Sequence, residues 1–330
     1  MNVIIVGGGY DGKKSSIITK MGEQFSSADE CCIVNGGELS NISGFDLALW
    51  MPDVSNNEEK QYPVKDRGTV LICSKVMREG YTLIDAITRI FKMHGNAVIA
   101  IYKEGDRKFR FELVDALGHI WYSGYDITKL CSSIKDLYTW TKGAIRKSIP
   151  KADGSVTTEA LPQLTDFMKI NCNLAFKSAA QCGNRYFGNF STRCTKLFPS
   201  YRSEKSVIIV SPRNVDKRTL KDTDMVPIID GAYFGDRKPS VDAPVQLELY
   251  QEVPGVNFMI HGHAYVKGAP MTKQYFPCGD MRETSETIEL LRDGHKAVNL
   301  KHHGFLLATE TLKEMVQLQH LLDFEKIYNF

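Results

Sequence analysis

Two short histidine clusters, His261-Gly262-His263 and His302-His303-Gly304, constrain this chain more than any other feature. Five of the eight histidines lie between residues 261 and 303. The run Val256-Asn257-Phe258-Met259-Ile260 ahead of the first cluster is apolar and reads as a strand. Side chains alternate along a strand, so His261 and His263 share one face. A second apolar run, Ala297-Val298-Asn299-Leu300, leads into His302-His303 and predicts a neighbouring strand that delivers a third imidazole. Three imidazoles on one face leave a coordination position open, which a catalytic Zn2+ needs. Mn2+, Co2+ and Fe2+ also accept imidazole donors. The alternative, ordinary polar residues in a sheet, fits a lone histidine better than this paired spacing.

The rest of the composition bounds the setting. At 330 residues the chain has room for two domains of ordinary size. Hydrophobic residues make up 43% and charged residues 24%, as in a soluble globular protein. A formal net charge of +2 gives no electrostatic footprint for nucleic acid or membrane. No apolar run approaches the roughly eighteen residues of a membrane span. The start, Met1-Asn2-Val3-Ile4-Ile5-Val6, passes straight into a strand pattern without a signal-peptide profile. The eight cysteines (Cys31, Cys32, Cys73, Cys131, Cys172, Cys182, Cys194 and Cys278) contain no Cys-x-x-Cys and are too sparse for a disulfide scaffold. Reduced thiols in a cytoplasmic protein are expected.

The chain reads as two halves of α/β class. Residues 1–150 alternate strands (2–6, 31–34, 45–51, 69–73, 97–102) with helices (13–25, 81–93), followed by a hairpin over 109–122 and a helix over 133–147. That order predicts a Rossmann-like open parallel sheet. Residues 148–158 are rich in turn formers and mark the boundary. The second domain, 158–330, opens with a helix over 163–181, becomes strand-rich through residue 265, and ends with helices over 283–292 and 309–328. It predicts a central antiparallel sheet with helices on both sides.

Other motifs sharpen the second domain. In order come Gly188-Asn189-Phe190-Ser191-Thr192-Arg193, Ser211-Pro212-Arg213-Asn214, Lys238-Pro239-Ser240-Val241-Asp242, the His-x-His and the final His303-Gly304. This series resembles the class II aldolase/adducin family, which runs Gly-Asn-x-Ser-x-Arg, Thr/Ser-Pro-x-Gly, Lys-Pro-Ser-Ser-Glu/Asp, His-x-His and His-Gly. The resemblance covers about residues 160–330. It implies an α/β/α fold, a divalent metal on His261, His263 and His303, and Lewis-acid cleavage of a carbon–carbon bond. His302 is the alternative third ligand, but the family places the ligand directly before the glycine. The family's acid/base falls on Asp242; its aldolases carry Glu there and its pentose-phosphate 4-epimerases Asp. Two departures weaken the expectation of the epimerase branch: the segment 271–279 is compact, and the tyrosine that the epimerases carry on a C-terminal extension is not matched within residues 1–330, although Tyr328 lies near position 330. The resemblance also implies a substrate phosphate held by Gly188, Asn189, Ser211 and Ser240. Asn214 replaces the turn glycine, Val241 replaces a serine, and Arg213 is a new cation at the turn. A homo-oligomer, in this family a tetramer whose subunits complete each other's pockets, is implied as well.

In the first half, Gly7-Gly8-Gly9-Tyr10-Asp11-Gly12-Lys13 joins a strand to a helix and matches G-x-G-x-x-G, with Gly7, Gly9, Gly12 and Lys13 as candidate nucleotide or phosphate contacts. The acidic residue that should end the second strand is replaced by Asn35-Gly36-Gly37-Glu38, and a tight turn without ligand is the competing reading. Asp46, Asp53 and Asp66 fall near strand ends, and residues 52–68 read as a polar flap. Three functions follow: a metal-dependent lyase on a sugar phosphate, a non-catalytic scaffold of the adducin kind, or a nucleotide-binding protein whose second half serves assembly.

Overall fold

The computed structural model describes residues 1–7, 12–35, 41–51, 63–105, 108–154, 156, 166–170, 181–182, 185–193, 207–321 and 323–325. The chain divides into two compact units, Met1–Gly143 and Ala144–Asn329. The division precedes the turn-rich stretch 148–158. Pro150 and Ala152 already belong to the second unit: Tyr233 N donates to Pro150 O at 2.9 Å, and Ala152 N donates to Tyr233 O at 2.8 Å. Among the described residues, no helix is long and apolar enough to cross a membrane.

The first unit is built on seven strands: β1 (Asn2–Gly7), β2 (Glu30–Asn35), β3 (Leu47–Trp50), β4 (Val70–Met77), β5 (Ala97–Lys103), β6 (Phe109–Asp115) and β7 (Ile120–Gly124). Their order is β2-β1-β3-β4-β5-β6-β7. The first five strands pair in parallel, and β6 and β7 add antiparallel. The parallel order 2-1-3-4-5 is a doubly wound one, distinct from the 3-2-1-4-5-6 of the dinucleotide-binding sheet. Strands such as Leu47-Ala48-Leu49-Trp50 are buried throughout because both faces are covered. Helices α1 (Gly12–Ser26) and α3 (Ile127–Lys142) bury Ile17, Met21, Phe25, Leu130 and Ile134 in one core with Val3, Leu47 and Leu49. Helix α2 (Leu83–Lys92) joins β4 to β5 and opens with Thr82 N donating to Asp85 Oδ2 at 2.8 Å.

Helix α3 begins six residues before the expected 133. Asp126 caps it by accepting from Thr128 N at 2.8 Å and Lys129 N at 3.2 Å, a start signal stronger than the apolar spacing that pointed to 133. Asp46 and Asp66 precede β3 and β4 and so lie at the amino ends of parallel strands, away from the carboxyl edge where ligands bind. Both hold backbone: Asp46 Oδ2 accepts from Asn2 N at 2.9 Å and Asp66 Oδ2 from Gly44 N at 2.6 Å. Gly7 ends β1 and Gly12 opens α1. Gly9, Asp53 and the Lys13 side chain lie outside the described residues, as does most of the expected flap.

The second unit carries a small hairpin, β8 (Gln181–Cys182) with β9 (Arg185–Tyr186), and then an antiparallel sheet. The sheet strands are β10 (Asn189–Arg193), β11 (Val207–Val210), β12 (Val226–Ile229), β13 (Ala232–Tyr233), β14 (Phe258–Gly262), β16 (Ala297–Leu300) and β17 (Gly304–Thr309), with β15 (Tyr265–Val266) pairing separately with β18 (Phe324–Glu325). The sheet order is β13-β12-β11-β10-β14-β17-β16. Alternation sorts β14 between two cores. Phe258 and Ile260 pack with Phe167, Phe190, Phe305 and Met315. Met259 packs on the opposite face with Leu249, Ile288 and Leu291, from helices α4 (Ala243–Glu252) and α5 (Glu283–Arg292). Helix α6 (Leu312–Leu321) supplies Met315 to the first face. His261 has the parity of Met259 and therefore faces α4 and α5.

Two helix expectations need correction. Thr309 ends β17 and the last helix is Leu312–Leu321, since Phe324 and Glu325 form a strand instead of a further turn. Of the helix expected over 163–181, residues 166–170 are helical and Gln181 is in a strand; the remainder lies outside the described residues.

Candidate metal centre

Three elements bring the histidines together. His261 sits in β14, His263 follows its last residue, and His303 lies in the turn from β16 to β17. Because β17 is the direct neighbour of β14, that turn rises beside the end of β14. Gly304 allows the approach: a Cβ there would overlap Gly262 O. The ring centroids of His261 and His303 are 4.7 Å apart, those of His261 and His263 5.2 Å, and those of His263 and His303 5.4 Å. Ligand atoms of the three lie within 4.8 Å of one another. His302 is turned away, at φ 54°, with its N–H donating to Tyr265 Oη at 2.7 Å and its ring edge-on to Tyr275.

The hydrogen bonds fix the tautomers. Phe305 O, a carbonyl, only accepts, so His261 Nδ1 at 2.8 Å carries the proton. His261 Nε2 then presents a lone pair, and it is buried without a hydrogen-bond partner. His303 Nδ1 donates to Glu283 Oε1 at 2.8 Å, which leaves Nε2 facing the cavity. The His263 ring stacks on Phe187 with centroids 4.5 Å apart and planes 13° apart. A buried unpartnered imidazole nitrogen beside two more imidazoles is a donor set that fits a divalent transition metal.

Asp242 approaches from the start of α4. Its Oδ2 accepts from Asn189 Nδ2 at 2.9 Å, and its Oδ1 is buried without a partner. Asn189 Oδ1 in turn accepts from Gln246 Nε2, one helical turn along α4 from Asp242. Asn189 is the β10 residue directly opposite His261. Gly188, at φ 74°, precedes it, and a Cβ there would stand 2.6 Å from His261 O. Arg193 locks the far end of the same strand to α4 and its following loop, donating to Tyr250 O and, at 2.8 Å, to Val256 O. Asn189, Asp242, Gln246, His261, Glu283 and His303 line one cavity.

Electrostatics follow from burial. Desolvation pushes His261 down to about 4, with His303 adding repulsion, and drives His263 well below the ordinary imidazole value. Burial alone would also lower His303, but the Glu283 carboxylate and then Cys278 raise it well above. Lys217, only 7% exposed, is pushed down to about 8 by burial, opposed by the charge of Asp242.

The remaining sequence candidates are not among the residues that line the cavity. Ser211 Oγ accepts from Phe190 N at 3.2 Å. Ser240 Oγ lies 3.4 Å from Asp242 N, which donates to it. Asn214 adopts φ 53° and accepts from Tyr186 N at 3.0 Å. Arg213 is exposed, and its Nε donates to Pro239 O at 3.3 Å. Sequence reasoning missed Glu283, Gln246, Lys217 and a site role for Cys278. Only the Asp242/Gln246 pair had a readable signal, an i, i+4 spacing on one helix face. Lys217 hides in a charged run, and Glu283 opens an amphipathic helix where a carboxylate is expected anyway.

Comparison with known proteins agrees with the motifs. Residues 172–325 match the sequence profile of the Class II Aldolase and Adducin N-terminal domain family. Solved structures similar to the chain include an L-fuculose 1-phosphate aldolase, at 19% identity and a TM-score of 0.39 over 51% of this chain and 84% of that one. YgbL from Escherichia coli, a putative aldolase/epimerase/decarboxylase, gives 21% and 0.37 over 48% and 86%. The N-terminal class II aldolase domain of a conserved protein from Thermoplasma acidophilum gives 15% and 0.37 over 53% and 94%. Residues 172–325 thus carry the similarity to the class II aldolase/adducin family, and the first unit lies outside the match.

Proposed function

We propose that the second unit is a metal-dependent lyase that cleaves a carbon–carbon bond in a sugar phosphate or a related small anionic carbohydrate. The observation that carries this reading is the convergence of ligand atoms from His261, His263 and His303, beside a cavity lined by His261, His303 and Asp242 in which His261 Nε2 and Asp242 Oδ1 are buried without partners. A scaffold has no use for either atom. His261, His263 and His303 would hold a divalent ion, Zn2+ by donor type, which would supply an electrophile for a substrate carbonyl and hydroxyl. Asp242 takes and returns the proton at Oδ1, while Asn189, braced by Gln246, holds the other oxygen and so fixes the carboxylate plane. Gly188, Asn189, Ser211, Arg213, Asn214 and Ser240 are the residues proposed to hold the anionic group, and Lys217 adds a buried cation near Asp242.

Asp in place of Glu at position 242 favours a second reading, 4-epimerisation of a pentose phosphate through the same proton transfer. Incubating metal-loaded protein with ketose 1-phosphates and pentulose 5-phosphates separates the two: cleavage yields two carbonyl fragments, epimerisation an isomer of unchanged mass. No turnover of either group by the metal-loaded protein would overturn both. We further propose a homotetramer. Light scattering at micromolar concentration should give about four chains per particle, and a clean monomer would count against a pocket shared between subunits.

A further inference from the structure

Cys278 lies in the loop before α5, and its Sγ is 3.3 Å from His303 Nε2. With Asp242 and His303 it forms a second triangle of ligand atoms, all within 4.8 Å of one another. The two triangles share His303. Its Nδ1 is held by Glu283, so a single atom, Nε2, serves both. An ion bound at His303 Nε2 would have the other two imidazoles of one triangle and the thiol and Asp242 of the other as candidate partners. Tetrahedral zinc, with bonds of about 2.0 Å to nitrogen and about 2.3 Å to sulfur, sets these two donor types roughly 3.5 Å apart. The observed separation is close to that. Gly279, at φ 73°, fixes the loop: a Cβ there would stand 2.8 Å from Val241 O, beside Asp242. The thiol is thus held against the same corner as the candidate acid/base.

We propose that Cys278 is a fourth ligand of this centre, so that the resting ion is closed by sulfur instead of open to solvent. The inference rests on the metal reading above. Ligation exchanges a proton for the ion: the S–H bond breaks, the proton passes to buffer, and the sulfur lone pair goes to the metal. A substrate with adjacent carbonyl and hydroxyl oxygens must then displace the thiolate. The site becomes one that opens on binding, and it is protected against adventitious ligands until then.

Titration of the metal-free full chain with Co2+ tests this. Wild type should develop visible d–d bands and a near-ultraviolet sulfur-to-cobalt charge-transfer band, both saturating at one equivalent. Cys278→Ser should keep the d–d bands and lose the charge-transfer band. Visible bands without charge transfer in wild type, or a charge-transfer band that persists in Cys278→Ser, would overturn the fourth ligand while leaving the three-histidine site standing. No cobalt bands at all would remove the metal reading itself. As a second readout, one equivalent of Zn2+ should slow alkylation of Cys278 by iodoacetamide, followed by peptide mass spectrometry; an unchanged rate with zinc bound would overturn the proposal.

Discussion

Glu283 Oε1 accepts the Nδ1 proton of His303 at 2.8 Å, and both side chains are buried, at 5% and 1% exposure. A carboxylate so placed fixes the ring orientation and raises the basicity of the opposite nitrogen. Glu283→Gln keeps an acceptor of the same shape but removes the charge. It should weaken Zn2+ binding by about 10- to 100-fold, read by competition with a chromophoric chelator. Unchanged affinity would reduce Glu283 to a packing role.

The two adjacent histidines of the last cluster should behave oppositely. His303→Ala and His263→Ala should each abolish stoichiometric metal, measured by plasma emission on purified protein. His302→Ala should retain it, because that ring points toward Tyr275. Full metal content in the His263 variant would sink the ligand assignment.

Asp242→Asn should separate binding from chemistry. The amide keeps the shape and still meets Asn189, but it cannot accept a proton. Metal content should stay near one per chain while turnover of the cleaved ketose phosphate falls by about a hundredfold to ten-thousandfold. Metal loss in proportion to activity would instead make Asp242 a ligand.

Lys217 has a consequence for stability against pH. Its native value, about 8, lies below its ordinary 10.5. The unfolded chain keeps the proton longer than the native one, so stability rises as pH climbs from about 8 to 10.5, and the full cost is present below 8. At roughly 1.4 kcal/mol per pK unit, that cost is on the order of 3 kcal/mol. Lys217→Met should therefore raise Tm at pH 7, and its advantage should shrink toward pH 10. A lower Tm at pH 7 would mean that pairing with Asp242 outweighs desolvation.

The sequence was most legible where chemistry and period coincide. His261, His263 and His303 meet because strand parity and a glycine-terminated hairpin turn are both local rules. The proposed proton-handling set was half legible. Asp242 stands out within its motif, whereas Glu283 reaches the cavity, and Lys217 comes within electrostatic reach of Asp242, only through tertiary packing, which no spacing records. Helix ends were misplaced where a cap or a strand overrode apolar periodicity, at Asp126 and at Thr309. The end of the sheet at which Asp46 and Asp66 fall was also illegible, since it follows from strand direction within the parallel sheet.

Asn189 and His261 face each other across the β10–β14 ladder, so the residue that braces the proposed acid/base and the first proposed metal ligand are set by a single register. Slippage of that ladder by one residue would turn His261 into the opposite core and carry Asn189 away from Asp242. A chain mispaired in this way would still contain a sheet and helices and would pass inspection by circular dichroism. Ion uptake would not be deceived. With the proposed ligand set, stoichiometric metal becomes a quality assay for folding itself, able to separate correctly paired protein from well-formed but misregistered material in a refolding mixture.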